Sequence, residues 1–191
     1  MRSQVTTKRG DRGESTALSG DSFPKSHPIM ECVGTLDELR AQLALARLEI
    51  IERRGDPEVQ QAAFLAWLLN ACFALGAQCS DPVQRKPEFH AVTIEPRHVT
   101  RIEEEQARLE EIVTLPSAFI ASAANRESAQ VDVACTVARR FERALVRLKE
   151  AYPESNLDAP LVFVNRLSDY LYILARHLEG GEHHVVDYKV L

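Results

Sequence analysis

Between residues 161 and 178 the chain places Leu161, Val164, Leu167, Leu171, Leu174 and Leu178 at three- and four-residue steps. That spacing puts all six on one stripe of an α-helix about 30 Å long. Such a stripe must be covered along its whole length, and the sequence supplies partners of similar size. Gly34-Thr35-Leu36-Asp37-Glu38-Leu39 reads as a helix start, with Thr35 as N-cap and Glu38 closing a capping box. Leu36, Leu39, Leu43 and Ile50 stripe that first helix, and Gly55-Asp56-Pro57 ends it. A second helix, 58–79, carries Phe64, Leu68, Ala71, Leu75 and Cys79 on one face and stops at Ser80-Asp81-Pro82. Pro96 fits the first turn of a third, reaching about 113, whose charged stretch 102–111 belongs at the periphery. A fourth spans 127–152, and the fifth spans 160–179 with Pro160 in its first turn and Gly180-Gly181 after it.

Five helices with no alternating strand pattern imply an all-α fold: a five-helix antiparallel bundle of the ferritin-like or four-helix-bundle type. The bundle domain is expected over 34–180, with a 1–33 loop belonging to it and a 181–191 tail. Residues 1–33 mix glycines, prolines, hydroxyls and cations without apolar periodicity. In a chain of 191 residues, a loop of that length is either a floppy tail or functional.

Charge narrows the partners. With 23 Lys and Arg against 28 Asp and Glu, the net charge of −5 gives no global attraction to nucleic acid or anionic lipid. No apolar run approaches the roughly 20 residues of a membrane span, and the polar N-terminus is unlike a signal peptide, so a cytoplasmic location is expected. The four cysteines form no CxxC pair and read as reduced, packed thiols. His183-His184 have no companions spaced to complete a metal site and read as a solvated tail.

Three clusters carry chemistry. In Thr7-Lys8-Arg9-Gly10-Asp11-Arg12-Gly13-Glu14-Ser15-Thr16, glycines permit close backbone approach while amides and hydroxyls donate to phosphate oxygens, with Lys8 and Lys25 supplying charge. It does not fit the G-x-x-x-x-G-K-[ST] pattern, and no strand precedes it. Arg139 and Arg143 share a helix face four residues apart, a spacing suited to gripping phosphates or to a salt-bridged surface in which Glu142 pairs with Arg139. Asn165 flanks the apolar seam of the fifth helix, where a carboxamide can read a ribose or adenine edge or merely fix helix register.

Taken in order, TKRGDRGEST, Lys25, Pro28, GTLDEL at 34–39, ARRFER at 138–143 and VNRLSDYLYILAR at 164–176 resemble the PduO-type ATP:cob(I)alamin adenosyltransferases over about 7–178. The resemblance implies a trimer of five-helix bundles with sites between subunits. The implied reaction transfers the 5′-deoxyadenosyl group of ATP to the cobalt of cob(I)alamin and releases triphosphate, with Mg²⁺ accompanying the nucleotide. It implies that Thr7, Lys8, Arg9, Gly10, Ser15, Thr16 and Lys25 wrap ATP from one subunit, while Arg139, Arg140, Glu142, Arg143 and Asn165 face it from the neighbour. Arg139 then neutralises the departing triphosphate, Phe119 occupies the lower face of the corrin, and Asp37 belongs to the corrinoid side.

Three positions depart from the family pattern. Ala121-Ser122-Ala123-Ala124 replaces the usual LPGG. Cys135 stands where an arginine pairs with the aspartate equivalent to Asp37, and Arg40 replaces the asparagine of DELN. Arg40, three residues after Asp37, is placed to restore a local ion pair. These departures keep open a second reading, a paralogue that binds ATP or a corrinoid without turnover. A plain structural bundle would require every motif to be coincidental.

Overall fold

The computed structural model describes Thr6 and residues 8–190, apart from the side chains of Arg9 and Ser122. Its helices are α1 (Pro28–Arg54), α2 (Gln60–Ser80), α3 (Pro96–Glu110), α4 (Arg126–Ala151) and α5 (Asp158–Leu178). Short strands flank them: β1 (Glu14–Thr16), β2 (Ser22–Pro24), β3 (Ile120–Ser122) and β4 (His184–Val185).

Cross-helix contacts fix the directions. Along α1 and α4, Arg53–Glu127, Gln42–Gln130 and Glu38–Arg140 run in opposite senses. On α4 and α5 the rungs are Asp132–Arg176, Cys135–Ser168 and Glu142–Asn165. Between α1 and α2 they are Arg40–Phe73 and Arg47–Ala62, and between α2 and α5 Gln61–His177, Phe64–Tyr170 and Trp67–Phe163. Each ladder is antiparallel. Buried Leu39, Leu43, Phe141, Leu145, Leu167, Tyr170 and Leu171 fill the centre, so the stripe of α5 is covered as its spacing demands.

Three expectations are corrected. The first helix begins at Pro28 rather than at Thr35. Proline at the first helical position loses no hydrogen bond, and the His27 ring accepts from the Ile29 amide as the cap. Thr35 lies inside the helix, its hydroxyl donating to Glu31 O at 2.8 Å, so the Thr35–Glu38 pattern caps nothing. Residues 14–24 form a hairpin, with Ser15 opposite Phe23. Finally, α2 is long and apolar enough to cross a membrane by composition, contrary to the sequence expectation. In this fold its Leu65, Leu68, Cys72, Leu75 and Cys79 are buried within the bundle.

Candidate active site

The N-terminal loop is a built structure. Lys8, in the left-handed region at φ 60°, opens a 3-10 turn over Arg9–Arg12, and Gly13 at φ 81° closes it. The Lys25 amide donates to Gly13 O at 2.8 Å, folding the hairpin's second strand back onto the turn. A β-carbon at Gly10 would lie 3.3 Å from Lys25 Nζ, so the ammonium group packs closely over the glycine. Lys8, Gly10, Ser15, Thr16 and Lys25 are thus gathered on one unit, and all except half-buried Gly10 are exposed. Thr7 and the Arg9 side chain lie outside the described residues. The unit is anchored to the bundle: Ala17 is buried, the Leu18 amide donates to Ser80 Oγ at 2.7 Å, and Asp21 pairs with Arg85.

On the other flank of α1, α4 presents Arg139, Arg140 and Arg143, all exposed. Arg143 folds back to donate to Arg139 O at 3.0 Å, and Arg140 pairs with Glu38 of α1. Glu142 does not pair with Arg139 as expected. Its carboxylate accepts from Asn165 Nδ2 at 3.0 Å, and Asn165 Oδ1 accepts in turn from Arg166, which is held by Glu103 at 2.8 Å. This relay across α4, α5 and α3 holds the Asn165 carboxamide by both ends. Glu38, Glu103 and Arg166 were missed by sequence reading, because charged residues on exposed helix turns carry no mark of which neighbour they meet.

Asp37 and Arg40 form the local ion pair expected of them, at 3.0 Å, and the Arg40 guanidinium lies 5.0 Å from the Phe73 ring centroid. Both line a cleft of about 480 Å³ between the hairpin and the α1–α2 surface, together with Thr16, Leu36, Phe73 and Gly76. Phe119 stands elsewhere, 76% exposed on the loop between α3 and α4. Cys135 points inward and donates to Ser168 O at 3.2 Å. Burial pushes its thiol pKa up, only partly offset by Arg139. A thiol in that state is a packing group, not a nucleophile.

The tail reading is also corrected. The His183 side chain is 7% exposed and bonds Glu179, while His184 enters β4 beside β3. Among the described residues no three His, Cys, Asp or Glu side chains converge as a metal site.

The cobalamin adenosyltransferase family model matches residues 5–178, nearly the whole chain. The chain belongs to this family. Among relatives of the cobalamin adenosyltransferases, corrinoid adenosyltransferase MMAB of Bos taurus is 30% identical over 177 residues, 91% of this chain and 70% of its own length. The corrinoid adenosyltransferase of Mycobacterium leprae is 29% identical over 181 residues, 93% of this chain and 92% of its own length. In fold, the chain is similar to a variant PduO-type ATP:corrinoid adenosyltransferase from Lactobacillus reuteri, solved in complex with cobalamin and ATP. That likeness has a TM-score of 0.82 at 24% identity and covers 96% of this chain and 99% of the other.

Proposed function

We propose that this cobalamin adenosyltransferase family member transfers the 5′-deoxyadenosyl group of ATP to the cobalt of cob(I)alamin. The observation that carries this is the extent of the family match, which takes in the hairpin unit, the α4 guanidinium cluster and Asn165 together. Co(I) forms the cobalt–carbon bond, and the C5′–oxygen bond breaks as triphosphate leaves with its electron pair. The nucleophile belongs to a substrate, so the chain needs no activated serine, cysteine or histidine. Its task is orientation, charge neutralisation and exclusion of water.

The residues divide that task. Lys8, Gly10, Ser15, Thr16 and Lys25, with Thr7 and Arg9, wrap the nucleotide. Arg139, Arg140 and Arg143 meet the phosphates, and Arg139 neutralises charge growing on the leaving group. Glu142 and Asn165 orient the nucleoside. Phe119 occupies the lower corrin face and Asp37 serves the corrinoid side. Mg²⁺ travels with the triphosphate, whose oxygens are the hard ligands it prefers.

A second chain completes the site. The hairpin unit packs on α1 and α2, whereas the guanidinium cluster sits on α4. Among the described residues no hydrogen bond or ion pair joins the two. A closed homotrimer would bring the hairpin of one subunit to α4 of the next.

The test is anaerobic incubation of the protein with Mg-ATP and chemically reduced cob(I)alamin, following the optical change to adenosylcobalamin and assaying triphosphate. Product from the native chain, lost in Arg139→Ala, is the expected result. ATP binding without product would move the chain to the binding-only class.

A further inference from the structure

The loop of 111–125 between α3 and α4 leaves Ile112, Leu115 and Phe119 exposed. A segment so poor in buried apolar contacts needs other means to hold one conformation. Four of its tethers run to a single partner, the C-terminal segment. Ile120 pairs with Val185 and Ser122 with His184. The Val186 amide donates to Phe119 O at 2.8 Å. His183 Nε2 reaches Thr114 O at 3.2 Å.

The C-terminal segment is itself fastened to the bundle through a buried charged cluster. Gly180 and Gly181 take φ values of 63° and 90°, reversing the chain after α5. That turn returns His183 onto Glu179, whose side chain is fully buried and forms an ion pair with Arg176 at 3.1 Å. Arg176, 3% exposed, is gripped at 2.6 Å by Asp132 of α4. Both His183 nitrogens face acceptors, the Glu179 carboxylate and the Thr114 carbonyl. The Arg176 guanidinium, placed between Asp132 and Glu179, offsets the charge that burying the Glu179 carboxylate would otherwise leave unpaired. A merely solvated tail has no reason to bury a carboxylate and an imidazole.

We propose that His183 is a positioning residue for the corrinoid. It fixes the C-terminal segment on Glu179, and that segment holds the backbone of Phe119. This rests on the reading of Phe119 as the residue at the lower corrin face, where small displacements of a contacting ring are felt strongly.

Full-length protein carrying His183→Ala, His183→Gln, Val186→Pro or Phe119→Ala is compared with the native chain by amide hydrogen exchange and steady-state kinetics. His183→Ala should speed exchange over 114–122 and 184–186 while leaving α1 and α2 unchanged. It should also raise KM for cob(I)alamin about tenfold, with KM for ATP nearly constant. His183→Gln, whose amide keeps two N–H donors, should restore most of both. Val186→Pro deletes the donor to Phe119 O without touching the buried cluster and should reproduce the corrinoid defect, so the proposal remains testable if His183→Ala does not fold. Unchanged exchange over 114–122 in His183→Ala overturns the positioning role. So does an unchanged corrinoid KM there when Phe119→Ala raises it. If Phe119→Ala itself leaves the corrinoid KM unchanged, it is the placement of Phe119 that fails.

Discussion

At the scale of single residues, two of the departures from the family pattern, Arg40 and Cys135, have local structural answers. Arg40 satisfies Asp37 at 3.0 Å and lies over Phe73, but both partners of the ion pair are substantially exposed, and such pairs contribute about 1 kcal/mol or less. Arg40→Ala should therefore lower unfolding free energy by under about 1.5 kcal/mol, counting the cation–π contact, yet reduce turnover with cob(I)alamin more than an alanine at exposed Arg97. Denaturant titration beside the kinetic assay separates the two, and equal turnover in both variants would remove Arg40 from the site. The cysteines follow from burial alone. All four are buried, and burial pushes the Cys72 thiol to about 12. Intact-mass analysis after iodoacetamide treatment of native protein should show no adduct within the time that denatured protein takes four. The reading of Cys72 and Cys79 as packed thiols was available from the sequence because their seven-residue spacing on one helix face is a local property. The direction of Cys135, toward Ser168 O, was not, since it depends on the α4–α5 register.

At the scale of elements, the helices were legible and their ends less so. Apolar periodicity identified all five, but the Thr35–Glu38 pattern competed with Pro28 for the start of α1, and the competition is settled by His27 capping Ile29. The short hairpin strands carry no alternation to read, and the β3–β4 pair depends on a chain reversal more than fifty residues along. The loop after α2 is organised by one buried carboxylate. Asp81 accepts from the Arg85 and Lys86 amides at 3.0 and 2.8 Å and from His90 at 3.2 Å. Burial acts to raise its pKa, but these hydrogen bonds outweigh burial and hold it below the ordinary 3.8. A carboxyl lowered on folding contributes stability that is fully present above its unfolded pKa and is lost as pH falls through the folded value. Thermal melts should therefore show an acid-side loss of stability below about pH 4 that Asp81→Asn reduces. At pH 7 the same substitution should cost about 1–3 kcal/mol, because the buried amides lose an acceptor. An unaltered acid limb in Asp81→Asn would assign the loss to other carboxylates.

At the scale of the whole molecule, the hairpin unit and the guanidinium cluster proposed to hold the nucleotide sit on different flanks of α1, a separation that co-expressed variants can test. The hairpin unit is tied to Ser80 and Arg85, and the guanidinium cluster to Glu38 and, through Asn165, to α5 and α3. If each site takes its hairpin from one subunit and its α4 from another, Lys25→Ala and Arg139→Ala damage different halves of the same site. Each variant alone should be nearly inactive. In hetero-oligomers formed by co-expressing the two at equal levels, one site in four joins an intact hairpin to an intact α4. Activity should recover to about one quarter of native under random mixing, because every interface of a closed ring is of the same head-to-tail kind. Sites contained within one chain would recover nothing, since every chain would still carry one lesion. Mixing the separately purified variants, with native mass spectrometry confirming that the oligomers stay unmixed, should also recover nothing, which makes assembly rather than simple co-presence the cause of the rescue.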